Sequence, residues 1–146
     1  MAATHSYHDG HVAQYPVPGL MTLTHFSAAF FALTLLTDWA YMQTTVLMWQ
    51  DFSSWLLFFG LVAGGFAVLL WVIGVATRQM RPVWGVVLLH ALVLIAAFVN
   101  SLIHAGDGWT AIVPWGIGMS ALTCLLMLAA ALLSRRAASS RPLHRA

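Results

Sequence analysis

The chain has 146 residues, of which 61% are hydrophobic and only 7% charged, with six basic residues, four acids and a formal net charge of +2. A soluble domain carries roughly 25% charged residues, so this composition excludes an ordinary water-soluble fold and points to an integral membrane protein with the lipid bilayer as its first partner. Six scattered arginines are too few for a nucleic-acid surface, the single cysteine, Cys124, excludes an internal disulfide, and too little chain lies outside the apolar runs for a second domain.

Residues 1–17 are polar and read as a mobile tail, with His5, His8 and His11 spaced by three. Three imidazoles at that spacing can hold a metal ion, although histidine-containing tails often have no such role. No Lys or Arg precedes the first apolar run, and that run is long, so a cleaved secretory signal is not expected. The membrane domain then spans residues 18–134. Pro16 and Pro18 punctuate its start, where proline costs little.

Helix 1 is predicted over about 19–41, long enough to cross about 30 Å of hydrocarbon. It carries His25 early and Asp38 late, with small residues Ala29 and Ala32 on the histidine's face. Residues 42–54 read as a loop in which Asp51 or Ser53 would cap the next helix. Helix 2, about 54–77, has no ionisable residue and is lined by Gly60, Gly64, Gly65 and Gly74; its GxxxG pair marks close packing more often than dimerisation. Arg78 and Arg81 flank a turn, and Pro82 opens helix 3, about 82–103. The connection HAGDGWT is turn-rich, with Asp107 or Thr110 as the cap of helix 4, about 111–134. Pro114 is tolerated in the first turns of that helix, and Gly116, Gly118 and Ser120 form a second close-packing stripe. The glycine stripes of helices 2 and 4 could also face another copy in a homo-oligomer. Residues 135–146 are a basic tail.

The predicted fold is therefore all-α: an integral-membrane bundle of four transmembrane helices. Every arginine lies in the second connection or after helix 4. The positive-inside rule then puts both termini in the cytoplasm of a bacterial inner membrane, as does the clustering of Trp39, Trp49, Trp55, Trp109 and Trp115 towards the opposite edge.

Helices 1 and 3 run in the same direction. His25 lies about 9 Å above the start of helix 1 and His90 about 12 Å above Pro82, so they share an inner level. Asp38 is thirteen residues past His25, and His104 fourteen past His90. Asp38, Asn100, His104 and Asp107 thus form an outer polar level. His90 and His104 fall within about 40° of each other around their helix, whereas His25 and Asp38 are about 140° apart. Ionisable groups in a bilayer normally face a partner, a cavity or a cofactor. Three explanations stay open: a b-type haem held by His25 and His90, with the outer level serving quinone or protons; structural bonding, with Asp38 paired to His104; and a proton or metal-ion conduit, for which the middle of the bundle offers little polar to join the two levels.

His25-Phe26, Asp38, Asn100-x-x-x-His104-x-x-Asp107-x-Trp109-Thr110, Pro114-x-Gly116 and Ser120 together resemble a bacterial family of small four-helix inner-membrane proteins classed as a domain of unknown function. The resemblance covers about residues 15–136. The chain departs from the family pattern at Ser27, where proline is common, and at Tyr15-Pro16 in place of His-Pro. Some family members are joined to c-type cytochrome or sugar-dehydrogenase-like domains, which implies membrane electron transfer beside a periplasmic redox protein or dehydrogenase. This chain has no CxxCH motif and so holds no c-type haem of its own.

The leading expectation is a small cytochrome-b-like subunit or anchor passing electrons between a redox partner and quinone, with His25 and His90 as ligands of the haem iron. The first alternative is a cofactor-free scaffold or anchor of a larger complex; the second is a transport module. No nucleophile with its base, phosphate loop or dinucleotide fingerprint is present, so an electron-transfer or accessory subunit is favoured over a stand-alone enzyme.

Overall fold

The computed structural model describes residues 17–80, 82–106 and 108–139. These residues are all helical or in turns: α1 (Leu20–Thr44), α2 (Leu47–Ala76), α3 (Trp84–His104), the single-turn α4 (Trp109–Ile112) and α5 (Trp115–Ser139). Four helical segments are long and apolar enough to cross a membrane, the last running from Trp109 to Ala137 through the α4–α5 break. α1 packs on α2, α2 on α3, α3 on α5 and α5 on α1, which closes a ring and leaves α1 and α3 facing each other across a diagonal. The outer surface is apolar, with Phe58, Phe66, Leu69, Ile95 and Leu125 exposed, as lipid-facing side chains are. The interior is thin and built on Phe31, Leu57, Val93 and Ala97.

Small residues set how closely the spans approach. A Cβ on Gly60 would fall 2.5 Å from the Phe31 ring, and one on Gly64 would meet Leu94 at 2.5 Å and the Ser27 hydroxyl at 3.0 Å. Ser27 donates to the Gly60 carbonyl at 2.8 Å, so α1 lies directly on the backbone of α2. The GxxxG pair is thus filled from within the chain, and Gly116 is likewise closed off by Ala111 and His104. Only Gly65 and Gly118 of these stripes face open space, so neither stripe as a whole is available to another copy.

Two boundaries differ from the sequence expectation. α2 begins at Leu47 rather than near residue 54, because Thr45 in the left-handed region and the extended Val46 complete a tight turn directly after α1. Asp51 and Ser53 therefore lie inside the helix rather than capping it: two residues apart, they are about 200° around the axis from each other, Asp51 exposed and Ser53 buried. The fourth span is also interrupted rather than continuous from residue 111. Val113 is extended, as the residue before a proline tends to be, and α5 starts only after Pro114. Gly108 occupies the α4 cap position without a side-chain bond. Asp107, Arg81 and the tails carrying His5, His8, His11, Arg141 and Arg145 lie outside the described residues.

Candidate functional site

At the end of the bundle that holds the α1–α2 and α3–α4 turns, polar side chains converge about one and a half turns inside the helix ends. Asp38 comes from α1, six residues before its last; Ser53 from α2, six after its first; Asn100 and His104 from the last turn of α3; and Ser120 from α5, five after its first. Asp38, Ser53, Asn100, His104 and Ser120 are each at most 3% exposed. A carboxylate in such a place is costly unless its oxygens are served, and this one is fully served. Ser53 Oγ donates to Oδ1 at 2.6 Å, Ser120 Oγ donates to Oδ2 at 2.6 Å, and His104 Nε2 lies 2.9 Å from Oδ1.

Each donor is itself supported. Asn100 Nδ2 donates to Ser120 Oγ at 2.8 Å, and Thr37 Oγ1 lies 2.7 Å from Ser53 Oγ. A hydroxyl has one proton, so with Ser53 giving its proton to Asp38, the Thr37 proton is shared between Ser53 Oγ and the Leu33 and Thr34 carbonyls, 3.1 and 3.0 Å away. His104 Nδ1 lies 3.0 Å from the Asn100 backbone carbonyl. A carbonyl only accepts, so Nδ1 carries a hydrogen. One further proton then lies between Nε2 and Oδ1. On either atom, the Asp38–His104 pair is neutral as a unit, which lowers the cost of holding it in an apolar bundle. Asn100 Oδ1 is the one buried side-chain atom without a partner among the described residues.

Gly116 makes room for the histidine. A Cβ there would overlap the Ala111 carbonyl and lie 3.0 Å from His104 Cε1. Above the cluster, the buried Tyr41 ring sits 6.1 Å from Trp109, and Gln50 Nε2 donates to the Gly106 carbonyl at 3.2 Å, which ties the two turns together.

The inner-level histidines are arranged differently. His25 is exposed and lines an open depression of about 310 Å³ with Thr22, Phe26 and Ala29, all on α1. His90 is half-buried, and its Nδ1 donates to Val86 O of its own helix at 2.9 Å. No hydrogen bond or ion pair joins the two, and the depression beside His25 has no α3 residue in its wall. The structure therefore brings together Asp38, Asn100 and His104, and not His25 with His90. Among the described residues no group of three His, Cys, Asp or Glu side chains is placed to hold a metal ion.

The family described as a predicted membrane protein, DUF2231, matches residues 21–145, which takes in all four spans and every residue of the cluster. The chain belongs to the DUF2231 family. No curated protein and no solved structure matches it. In this DUF2231 chain, sequence reasoning found three of the five cluster residues and missed two. Ser53 was hidden because a serine near a helix start reads equally well as a cap, and Ser120 because a serine among glycines reads as a spacer. The available signal was depth: counting 1.5 Å per residue from each turn places both hydroxyls at the height of Asp38.

Proposed function

We propose that this DUF2231 protein is a cofactor-free membrane scaffold, a four-span module that anchors or stabilises a larger complex. One observation carries this reading: a single carboxylate, Asp38, takes hydrogen bonds from all three other spans, through Ser53 of α2, His104 of α3 and Ser120 of α5. The polar groups are spent on each other and on holding the spans in register. One to two turns deeper, the interior is the apolar set Phe31, Leu57, Val93 and Ala97 with two buried hydroxyls, Thr34 and Thr123, each bonded to a carbonyl of its own helix, which gives a relay little to run on and so favours the scaffold over a conduit. Arg78, Arg135 and Arg136 are exposed at the opposite end from the cluster. This supports an orientation with that end cytoplasmic and the cluster near the outer face.

The competing reading, a b-type cytochrome delivering electrons to quinone, asks His25 and His90 to grip one macrocycle within a copy. The outward face of His25, on a depression walled by α1 alone, favours the scaffold instead. The deciding measurement is the absorption spectrum of the full chain, extracted in detergent after expression with added haem precursor. The scaffold reading expects no Soret band and no spectral change in His25→Ala or His90→Ala. A Soret band that either substitution abolishes would overturn it in favour of electron transfer.

A further inference from the structure

The Asn100 amide is oriented by its neighbour. Ser120 spends its one hydroxyl proton on Asp38 Oδ2, so it can only accept from Asn100, and the amide must present Nδ2 to it. Oδ1 is then left buried and without a donor among the described residues. Two more buried oxygens share its depth. Thr34 lies four residues before Asp38 on α1, as Asn100 lies four before His104 on α3, and Thr123 lies three past Ser120 on the antiparallel α5. All three positions are about one turn deeper than the Asp38–His104 contact, and each is at most 1% exposed. The threonines give their protons to the Phe30 and Met119 carbonyls of their own helices, at 3.0 and 2.8 Å, which leaves them only lone pairs. α2 supplies the apolar Leu57 at this depth. The layer therefore holds three buried acceptors from three spans, with no hydroxyl hydrogen left among them.

We infer that this layer is the binding site of one water molecule, which gives one hydrogen to Asn100 Oδ1 and the other to a threonine hydroxyl oxygen. The bonding deficit selects the ligand. Bare acceptors call for a donor, and a close-packed interior calls for a small one. Buried polar atoms that the chain does not serve are normally served by ordered water. A metal cation would bring a net charge into an apolar bundle whose Asp38–His104 unit is already neutral, which favours the neutral donor. The water is a positioning element. With Oδ1 engaged below, Nδ2 stays on Ser120 and Ser120 stays on Asp38. The inference goes beyond the scaffold reading and does not depend on it.

Asn100 is the chain's only asparagine, so the full chain grown on isotope-labelled asparagine and held in detergent micelles shows a single side-chain amide by magnetic resonance. A rotating-frame Overhauser peak from that amide to water, opposite in sign to chemical exchange, is expected. It should vanish in Thr34→Val/Thr123→Val, remain in Thr34→Ser/Thr123→Ser, which keeps both oxygens, and remain when choline replaces sodium and potassium. Stability gives a second reading. Hydroxyls bonded only to their own helix are lost to valine at no cost. Hydroxyls that also hold the water link spans, and an interhelical polar contact is worth about threefold in the unfolding equilibrium, so the valine pair should unfold about threefold more readily or worse. No water peak in the unsubstituted chain, a peak that survives the valine pair or is lost equally in the serine pair, a peak that needs the metal ions, or a valine pair as stable as the unsubstituted chain would overturn the inference.

Discussion

Replacing Asp38 with alanine removes the acceptor of three buried donors at once. Two of them have a reserve. Ser53 can turn its proton to Thr37 Oγ1, 2.7 Å away, and Ser120 can give its proton to Asn100 once that amide turns round, since Asn100 Oδ1 has no other donor among the described residues. His104 has none: its Nδ1 is already committed to the Asn100 carbonyl, and its Nε2 is left facing a hole. Removing one member of a buried ion pair in a soluble protein costs about 3–5 kcal/mol. In a membrane the unfolded chain also finds partners, and interhelical polar contacts average about 0.6 kcal/mol, which for three bonds gives about 2 kcal/mol. With two of the three donors rescued, the lower figure should bound the loss, at about 1–2 kcal/mol. The assay is reversible unfolding in mixed detergent micelles followed by fluorescence of the seven tryptophans. Asp38→Ala/His104→Ala should cost little more than the worse single change, because the two residues act as one unit. A loss below about 0.5 kcal/mol for Asp38→Ala, or strictly additive single changes, would refute the clasp.

Two further outcomes follow from the packing. Gly116→Ala should destabilise by about 1–3 kcal/mol, since its Cβ overlaps the Ala111 carbonyl and presses on the His104 ring. Gly118→Ala on the same helix meets nothing and should gain up to about 1 kcal/mol, and the same unfolding assay compares them directly. Ser120→Ala should cost more than Ser53→Ala, by about 1 kcal/mol. It strips a donor from Asp38 Oδ2 and an acceptor from Asn100 Nδ2, whereas Asp38 Oδ1 keeps His104 when Ser53 is lost.

Height along the bundle was legible in the sequence and azimuth was not. Asp38 and His104 could be matched by counting residues from the helix ends, and they do meet, at 2.9 Å. The same count set His25 level with His90, but equal depth says nothing about which way a side chain points, and His25 lies exposed on α1 while His90 bonds its own helix. The 140° between His25 and Asp38 already held the answer: with Asp38 turned to the bundle axis, His25 had to leave it. That choice of inward residue was not available from α1 alone, whose apolar residues surround it on all sides. The start of α2 was obscured for a related reason. Asp51 and Ser53 look like the polar punctuation of a loop, yet one faces out and the other in on a continuing helix.

Asp38 precedes its partners in the chain by very different intervals: Ser53 by 15 residues, His104 by 66 and Ser120 by 82. During synthesis the acid therefore enters the membrane long before the base that neutralises it. Its position, about 9 Å from the end of α1, keeps it near water in that interval. The tight turn at Thr45 and Val46 delivers the Ser53 hydroxyl first, as a temporary companion. Only when the third and last spans arrive can the acid be sealed in, so completion of the polar clasp coincides with completion of the bundle.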